Sequence, residues 1–475
     1  MPRRSPYLIL TVLTLTTMIT MYVEAMVIPS LPHIQAALSA TDEEAAWVVS
    51  AYLVVGAAVA PLFGKMGDVY GKKKLYLVSL SLYSVAVLLA GFSPNIYFLI
   101  AARAVQGFGF TLFPLGLAII TDVFPRDRVA VAQGILSAMV AIGMTVGMIA
   151  GAYIEEYLGW RAMFHIAFGL SAVMLAASAA ALESRPPIRH ESIDFVSTLL
   201  LSGATALVLL YLTEAPYRGW TSVTQLALVT AGAALYAGFF AYELRSSNVL
   251  ISLDLLKRRN VVVANLAGLI SGIAMFMLYL GVIYFAEEQP PYGLGMSVIS
   301  AAMSLLPATL AMIVISPLVG LATSRLGPKP VLIYGSLVAA VGFYLFNFDR
   351  YGPVQLAVDS FVTGVGVVSI MVPIVNMVAV SMPEDAVTVG LGFNTMVRFL
   401  GSAVGPVLSA TLMTTYKAYI SYTVPRIGTI FFSEGGSLAF NYIFLIGSLT
   451  SLVVLIVALF TKNYTATGGS RYAAI

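Results

Sequence analysis

The chain of 475 residues has no cysteine, only three histidines and three tryptophans, and little charge. Without cysteine there are no disulfides and no thiolate metal sites. His33, His165 and His190 show no metal-ligand spacing, so no metal site is expected. The chain has no phosphate-binding P-loop and no nucleophile elbow, so neither nucleotide-driven work nor an enzyme is expected, and no cofactor. Charged residues make up 10% of the chain, where soluble domains carry roughly 25%. The period-2 alternation of an outer-membrane barrel is missing as well. A cleavable signal peptide is not expected. The "MPRRSP" start is basic, but the run behind it is too long and lacks a small-residue cleavage site.

What the chain does have is apolar sequence: 59% hydrophobic residues and a mean hydropathy of +0.93. A helix of about 20 apolar residues crosses a bilayer. Fourteen such runs are present, at about 7–30, 45–64, 75–92, 96–121, 130–154, 162–182, 195–213, 222–242, 260–286, 296–320, 329–347, 352–381, 386–414 and 438–461. The expected fold is therefore an all-α membrane protein of 14 transmembrane helices. If the N-terminus is inside, eighteen of the 25 Lys and Arg fall on the inner side and five on the outer. The outer five are Arg161, Arg218, Arg350, Lys417 and Arg426. This positive-inside bias predicts a multi-pass protein of the cell membrane with both termini in the cytoplasm. The net charge of +3 thus reports topology and gives no reason to expect nucleic acid.

The polar stretch "GKMGDVYGKKK", residues 64–74, returns as "GLATSRLGPKP", residues 320–330. Pro61, Leu62, Gly64, Asp68, Gly71 and Lys73 match Pro317, Leu318, Gly320, Ser324, Gly327 and Lys329 at a constant offset of 256. Gly107-x-Gly109 returns as Gly364-x-Gly366 at offset 257, and Gly143-x3-Gly147 as Gly401-x3-Gly405 at offset 258. Three landmarks at nearly constant spacing indicate an internal duplication. Runs 1–6 match runs 9–14, and runs 7 and 8 have no counterpart. The expected organisation is a six-helix bundle at 1–184, two inserted helices at 185–255 and a second six-helix bundle at 256–475. The repeats run parallel through the membrane. Such halves are related by an axis along the membrane normal, place a substrate site at their interface and expose it alternately to the two sides. A monomer among membrane lipids, handling a small lipophilic substrate, is the expected working unit.

These residues also resemble the major facilitator superfamily. "GKMGDVYGKKKL" is similar to its inner-loop signature, "RAVQGFGF" from Arg103 to its helix 4 motif, and "GMTVGMIAG" from Gly143 to its helix 5 antiporter motif. "EAMVIPSLP" from Glu24 resembles a helix 1 motif that usually begins with Asp, and "GWRAMF" and "WVVSAYL" are typical of the family. With two extra central helices, the chain resembles the fourteen-helix drug:proton antiporter branch. Met148 stands where the helix 5 pattern has proline, whereas Gly405 is followed by Pro406. The resemblance implies export of lipophilic, cationic compounds coupled to H+ entry, with Na+ the less favoured ion. A lipid, peptide or metabolite exporter remains an alternative, as does a non-transporting sensor or scramblase on the same fold.

Charge inside a membrane helix is expensive and usually faces a cavity or a partner. Glu24, Arg103, Asp359 and Arg398 are such residues, all in the outer-to-middle layer. They form the expected proton-coupling and substrate group. Desolvation favours the neutral form of a carboxyl, and a nearby Arg opposes it, so substrate movement can drive a proton on or off. The structural alternative is two ion pairs, Glu24–Arg103 and Asp359–Arg398. Gln106, Asn265, Asn376 and Asn394 are candidate polar residues of the cavity, and interhelical hydrogen bonds explain them equally well. Gly64, Asp68, Gly71, Lys73, Arg126 and Arg128 form the expected latch. In it, Asp68 either caps a helix start or pairs with Arg126 or Arg128, and the resemblance assigns the latch to the outward-open state. Lys72, Lys73 and Lys74 are expected as topology anchors and lipid-phosphate contacts. Gly143, Gly147 and Gly151, with Gly401, Gly405 and Pro406, read as close-packing stripes. The segment 415–437 is expected as a long external loop.

Overall fold

The computed structural model describes residues 5–40, 42–184, 194–246, 250, 252–348, 352–384, 386–424 and 428–464. Arg3, Arg4, Arg185, Arg189, Arg350, Arg426 and Arg471 of the charge pattern, and His190, lie outside these, as does the side chain of Arg126. Fourteen helices are long and apolar enough to cross a membrane. The first half contributes α1 (Pro6–Ala37), α2 (Asp42–Tyr70), α3 (Lys72–Gly91), α4 (Ile96–Val123), α5 (Arg126–Leu158) and α6 (Trp160–Ala181). The inserted pair is α7 (Phe195–Arg218) and α8 (Val223–Glu243). The second half contributes α9 (Arg259–Glu287), α10 (Ile299–Leu326), α11 (Pro328–Leu345), α12 (Pro353–Ser381), α13 (Val387–Thr415) and α14 (Ser437–Leu459). The protein is thus an all-α, multi-pass membrane protein of two matching six-helix bundles with two extra central helices.

The repeat is legible in the contacts. A methyl group added to Gly107 would lie 2.8 Å from the Tyr52 carbonyl of α2, and one on Gly109 would lie 2.6 Å from the Tyr83 ring of α3. In the second half, Gly364 meets Ala308 Cα of α10 at 2.8 Å and Gly366 meets Ala339 Cα of α11 at 2.5 Å by the same measure. Tyr52 and Ala308, like Tyr83 and Ala339, stand 256 apart. The glycine pairs therefore serve one purpose in both halves: they let three helices pack closely, by backbone contact at Gly107, Gly364 and Gly366 and by ring contact at Gly109. In α4 the approach breaks the helix into a 3-10 turn at Gly107–Thr111, whereas α12 runs through unbroken.

The glycine stripe of α5 does what its spacing implies. A methyl group on Gly147 would meet Tyr22 Cα of α1 at 2.9 Å, and one on Gly151 would meet Met26 Cα at 2.7 Å. The equivalent pair is α9 against α13, where Gly272 approaches Ser402 N at 3.0 Å and Gly405 the Ile273 carbonyl at 2.8 Å. Pro406 lies inside α13 and Met148 inside α5.

Of the two inserted helices, α7 packs into both halves. Ser202 of α7 donates to the Ala58 carbonyl of α2 at 2.6 Å, and Thr205 donates to Met396 Sδ of α13 at 3.2 Å. Leu209 is buried with Val54 and Ala57 of α2, against Leu400 and Ala403 of α13. The inserted helix α7 therefore covers the seam where α2 meets α13.

The segment after α13 differs from expectation. It is a hairpin: β1 (Lys417–Val424) pairs antiparallel with β2 (Gly428–Gly435), Lys417 opposite Gly435 and Val424 opposite Gly428. Tyr, Ile, Thr, Val and Phe dominate both strands, and these are the residue types that favour an extended chain.

Candidate functional site

A crevice opens where the two halves meet. It is lined by α1, α4 and α5 from the first half and by α9, α10, α12 and α13 from the second. The repeat-related helices 1/9, 4/12 and 5/13 thus line it together. It is a narrow crevice between side chains, with ≈ 40 Å³ of room for water-sized molecules, and not one open chamber. The wall is mainly sulfur and ring: Met21, Met144, Met275, Met312 and Met371, with Phe110, Phe113, Phe276 and Phe399. Four polar residues reach it: Glu24, Ser137, Arg398 and Ser402.

The four intramembrane charges occupy different settings. Glu24, on α1, is buried at the crevice wall. It forms no hydrogen bond or ion pair among the described residues, and Arg103 is the cation whose field reaches it. Arg103 does not line the crevice. It is wholly buried, with Nε donating to the Val48 carbonyl of α2 at 2.8 Å and Nη1 to Gln106 Oε1 at 2.8 Å. Its guanidinium stacks over Tyr52 at 4.7 Å. Gln106 Nε2 donates in turn to the Ala86 carbonyl of α3 at 3.2 Å. Arg103 and Gln106 therefore tie α2, α3 and α4 together. Arg398, on α13, does line the crevice. Asp359 is buried in α12 outside the crevice wall, and its carbonyl accepts from Thr363 at 2.7 Å.

The two ion pairs weighed as the structural alternative do not form. Glu24 and Arg398 have no oppositely charged partner within 4 Å among the described residues. Arg103 directs Nε and Nη1 to a carbonyl and an amide, and Arg398 lies among Phe113, Phe399 and Met371. Asn265, Asn376 and Asn394 do not line the crevice either. Asn394 donates to Asn265 Oδ1 at 3.0 Å and to the Ala264 carbonyl at 3.3 Å, joining α13 to α9. Asn376 accepts from Tyr464 Oη at 2.9 Å.

On the face that carries the lysine-rich turns, the halves are closed against each other. A methyl group on Gly64 would lie 2.8 Å from the Thr388 carbonyl and 2.9 Å from Val389 Cα, at the start of α13. Gly320 approaches Ala130 O at 2.7 Å and Val131 Cα at 2.6 Å, at the start of α5. Gly134 and Gly392 complete the set, 2.9 Å from the Ser316 carbonyl and 2.7 Å from the Ala60 carbonyl. Each copy of the repeated turn thus presses on the opposite half.

Asp68 takes the capping role. Its Oδ2 accepts from Val389 N at 3.2 Å. Its repeat partner Ser324 instead bonds within its own helix, to the Gly320 carbonyl at 3.1 Å. Arg128 donates to Tyr7 Oη at 2.6 Å. Gly71 has a φ of 98°, which glycine adopts without strain, and starts α3. Of the three lysines, Lys72 pairs with Asp122 at 2.7 Å, and Lys73 donates to the Ala179 and Leu182 carbonyls at the end of α6. Lys73 is thus a helix cap, where a lipid contact was expected, because those last carbonyls have no partner within α6.

The family model "Major Facilitator Superfamily" matches residues 13–286 and again 264–473. The multidrug resistance protein Stp of Mycobacterium tuberculosis (strain CDC 1551 / Oshkosh) is 26% identical over 404 residues, covering 83% of this chain and 74% of that protein. The tetracenomycin C resistance and export protein of Streptomyces glaucescens is 27% identical over 407 residues, covering 84% and 75%. Among solved structures, the proton:xylose symporter XylE superposes with a TM-score of 0.66 at 13% identity, covering 95% of this chain and 94% of that one. The human organic anion transporter MFSD10 superposes with a TM-score of 0.64 at 15% identity, covering 96% and 99%. With a duplicated six-helix unit, fourteen spans and a family match over nearly the whole length, the chain belongs to the major facilitator superfamily of membrane transporters.

Proposed function

We propose that this transporter exports lipophilic, drug-like compounds across the cell membrane in exchange for protons, by opening its central crevice alternately to the two faces. The single observation that carries the reading is Glu24: a buried carboxyl with no ion-pair partner, set in an apolar wall between the two halves. A proton and a cationic group on a substrate compete for such a carboxyl, and competition for one site is enough to couple their movements in opposite directions. Methionine and phenylalanine walls re-pack around unlike molecules. The names of the relatives, multidrug resistance and tetracenomycin export, point to the same class of cargo. Asp359 is the second candidate proton carrier, H+ the coupling ion, and Arg103 the residue that sets the field at Glu24. Both termini face the cytoplasm, which protease protection of a C-terminal tag checks.

The test is substrate-driven proton flux. Purified protein goes into liposomes with an imposed pH gradient and a trapped pH dye, and lipophilic cations, anions and neutral compounds are added in turn. Flux in the native protein that Glu24→Gln abolishes is the expected result. Flux that survives Glu24→Gln moves the proton to Asp359. No proton movement with any compound overturns the exporter reading.

A further inference from the structure

Arg398 is a buried cation with few partners. The guanidinium offers five N–H donors. Among the described residues its one hydrogen bond is a weak one, Nη1 to Met371 Sδ at 3.7 Å. It sits 5.0 Å from the Phe113 ring and 5.8 Å from the Phe399 ring, and Phe399 is itself 4.1 Å from Phe110. It is 8% exposed, and that exposure is to the crevice. The fold does not require a cation here. In the first half the equivalent position, 258 residues earlier, is Val140, which lines the same crevice. A buried charge without a counter-charge is costly, and among the described residues no carboxylate, Glu24 included, lies within 4 Å of it. The crevice thus carries one carboxyl and one guanidinium that are not partners of each other.

We propose that the cargo is an amphoteric aromatic compound: a basic nitrogen meets Glu24, an acidic oxyanion group meets Arg398, and a ring lies against Phe113 and Phe399. The inference rests on the exporter reading above, and adds the acidic group to it. A fork of two parallel N–H···O bonds fixes the acid end, while the proton competes only at the basic end. Coupling and anchoring are therefore assigned to different charged groups of one molecule.

Four naphthalene probes test this: naphthylalanine with both charges, its methyl ester with the cation only, naphthylpropionic acid with the anion only, and the neutral naphthylpropionamide. Binding to the purified protein in detergent is measured by calorimetry for the native chain, Arg398→Gln, Arg398→Lys and Glu24→Gln. Gel filtration serves as the folding check. Naphthylalanine is expected to bind tightest. Arg398→Gln is expected to weaken it about tenfold or more, the range of a lost charge-assisted hydrogen bond, and to leave the ester unchanged. Arg398→Lys keeps part of the gain. If the ester equals naphthylalanine in the native chain, or Arg398→Gln leaves their ratio unchanged, the inference fails. Flux driven by lipophilic cations alone would still stand in that case. If no probe binds and no compound drives flux, both readings fail. Phosphatidylethanolamine headgroups carry the same pair of charges. Displacement of naphthylalanine by a short-chain phosphatidylethanolamine would support the amphoteric site and name a lipid as its source.

Discussion

Two arginines, each deep in a helix and each next to an aromatic ring, should behave oppositely when removed. Arg103 holds a carbonyl of α2 and an amide of α4, and so joins helices. Each charge-assisted hydrogen bond of this kind contributes about 1.5–3 kcal/mol. Arg398 makes no such bond to oxygen among the described residues. Arg103→Leu is therefore expected to lower the thermal midpoint of the purified protein by several degrees, because it also strands the Gln106 side chain. Arg398→Leu is expected to leave the midpoint unchanged or raise it, since replacing a poorly paired buried charge by an apolar side chain removes a desolvation cost. Scanning fluorimetry of the two variants side by side decides the matter. The reverse ranking would mean that Arg398 supports the fold, and would remove the ground for assigning it to the cargo.

At the scale of the element, the glycine stripes set how close helices come. Gly147 lies where α1 crosses α5, with Tyr22 Cα in the space a side chain would take. Gly169, on α6, has nothing within 4 Å of the equivalent space. Gly147→Leu is expected to force the helices apart and to cut the yield of monodisperse protein sharply. Gly169→Ala is expected to be neutral or mildly stabilising, since alanine is about 1 kcal/mol better than glycine within a helix. Equal loss from both would show that the stripe carries no special packing.

The same stripes explain what could be read in advance. Span number, the duplication and the stripes were legible because apolar runs and glycine spacings are local and repeat along the chain. Gly134 and Gly392 stand 258 apart, as Gly143 and Gly401 do, so the repeat alone marks them. The crevice wall was not legible in that way. A helix that is apolar all round carries no polar face to fix its rotation. Nothing along α4 distinguishes Phe113, on the crevice, from Phe108, which packs against the core. Charge was visible at Arg103 and Arg398 alike. Its direction was not, because direction depends on partners far away in sequence, such as the Val48 carbonyl. The hairpin at 417–435 is not legible for a different reason: its strand-favouring residues gain meaning only through pairing with a second strand, and the residues between the strands carry no Asn-Gly or Gly-Gly signal.

For the whole molecule, the repeat makes the two halves nearly interchangeable at their lysine-rich face, where Asp68 breaks the symmetry. Gly64 and Gly320 press on equivalent starts of α13 and α5, and Gly134 and Gly392 close the same face. On this face Asp68 adds a hydrogen bond from one half to the other, at the N-terminus of α13, where the helix dipole also favours a negative charge. Losing such a cap costs about 0.5–2 kcal/mol. For a two-state gate, 1–2 kcal/mol changes the open-to-closed ratio by about 5–30-fold. The absence of native cysteine makes this measurable without background. With Ser137→Cys as the only thiol, on the crevice wall, a membrane-impermeant maleimide is applied from the lysine-rich face. Asp68→Ala is expected to speed labelling by about 5–30-fold. Ser324→Ala, in the second copy, is expected to leave the rate unchanged, because Ser324 bonds within its own helix. Equal acceleration by both would mean that the two turns act alike and that the closed face rests on its glycines. No acceleration by Asp68→Ala would remove the cap from the gate and leave steric fit as its sole basis.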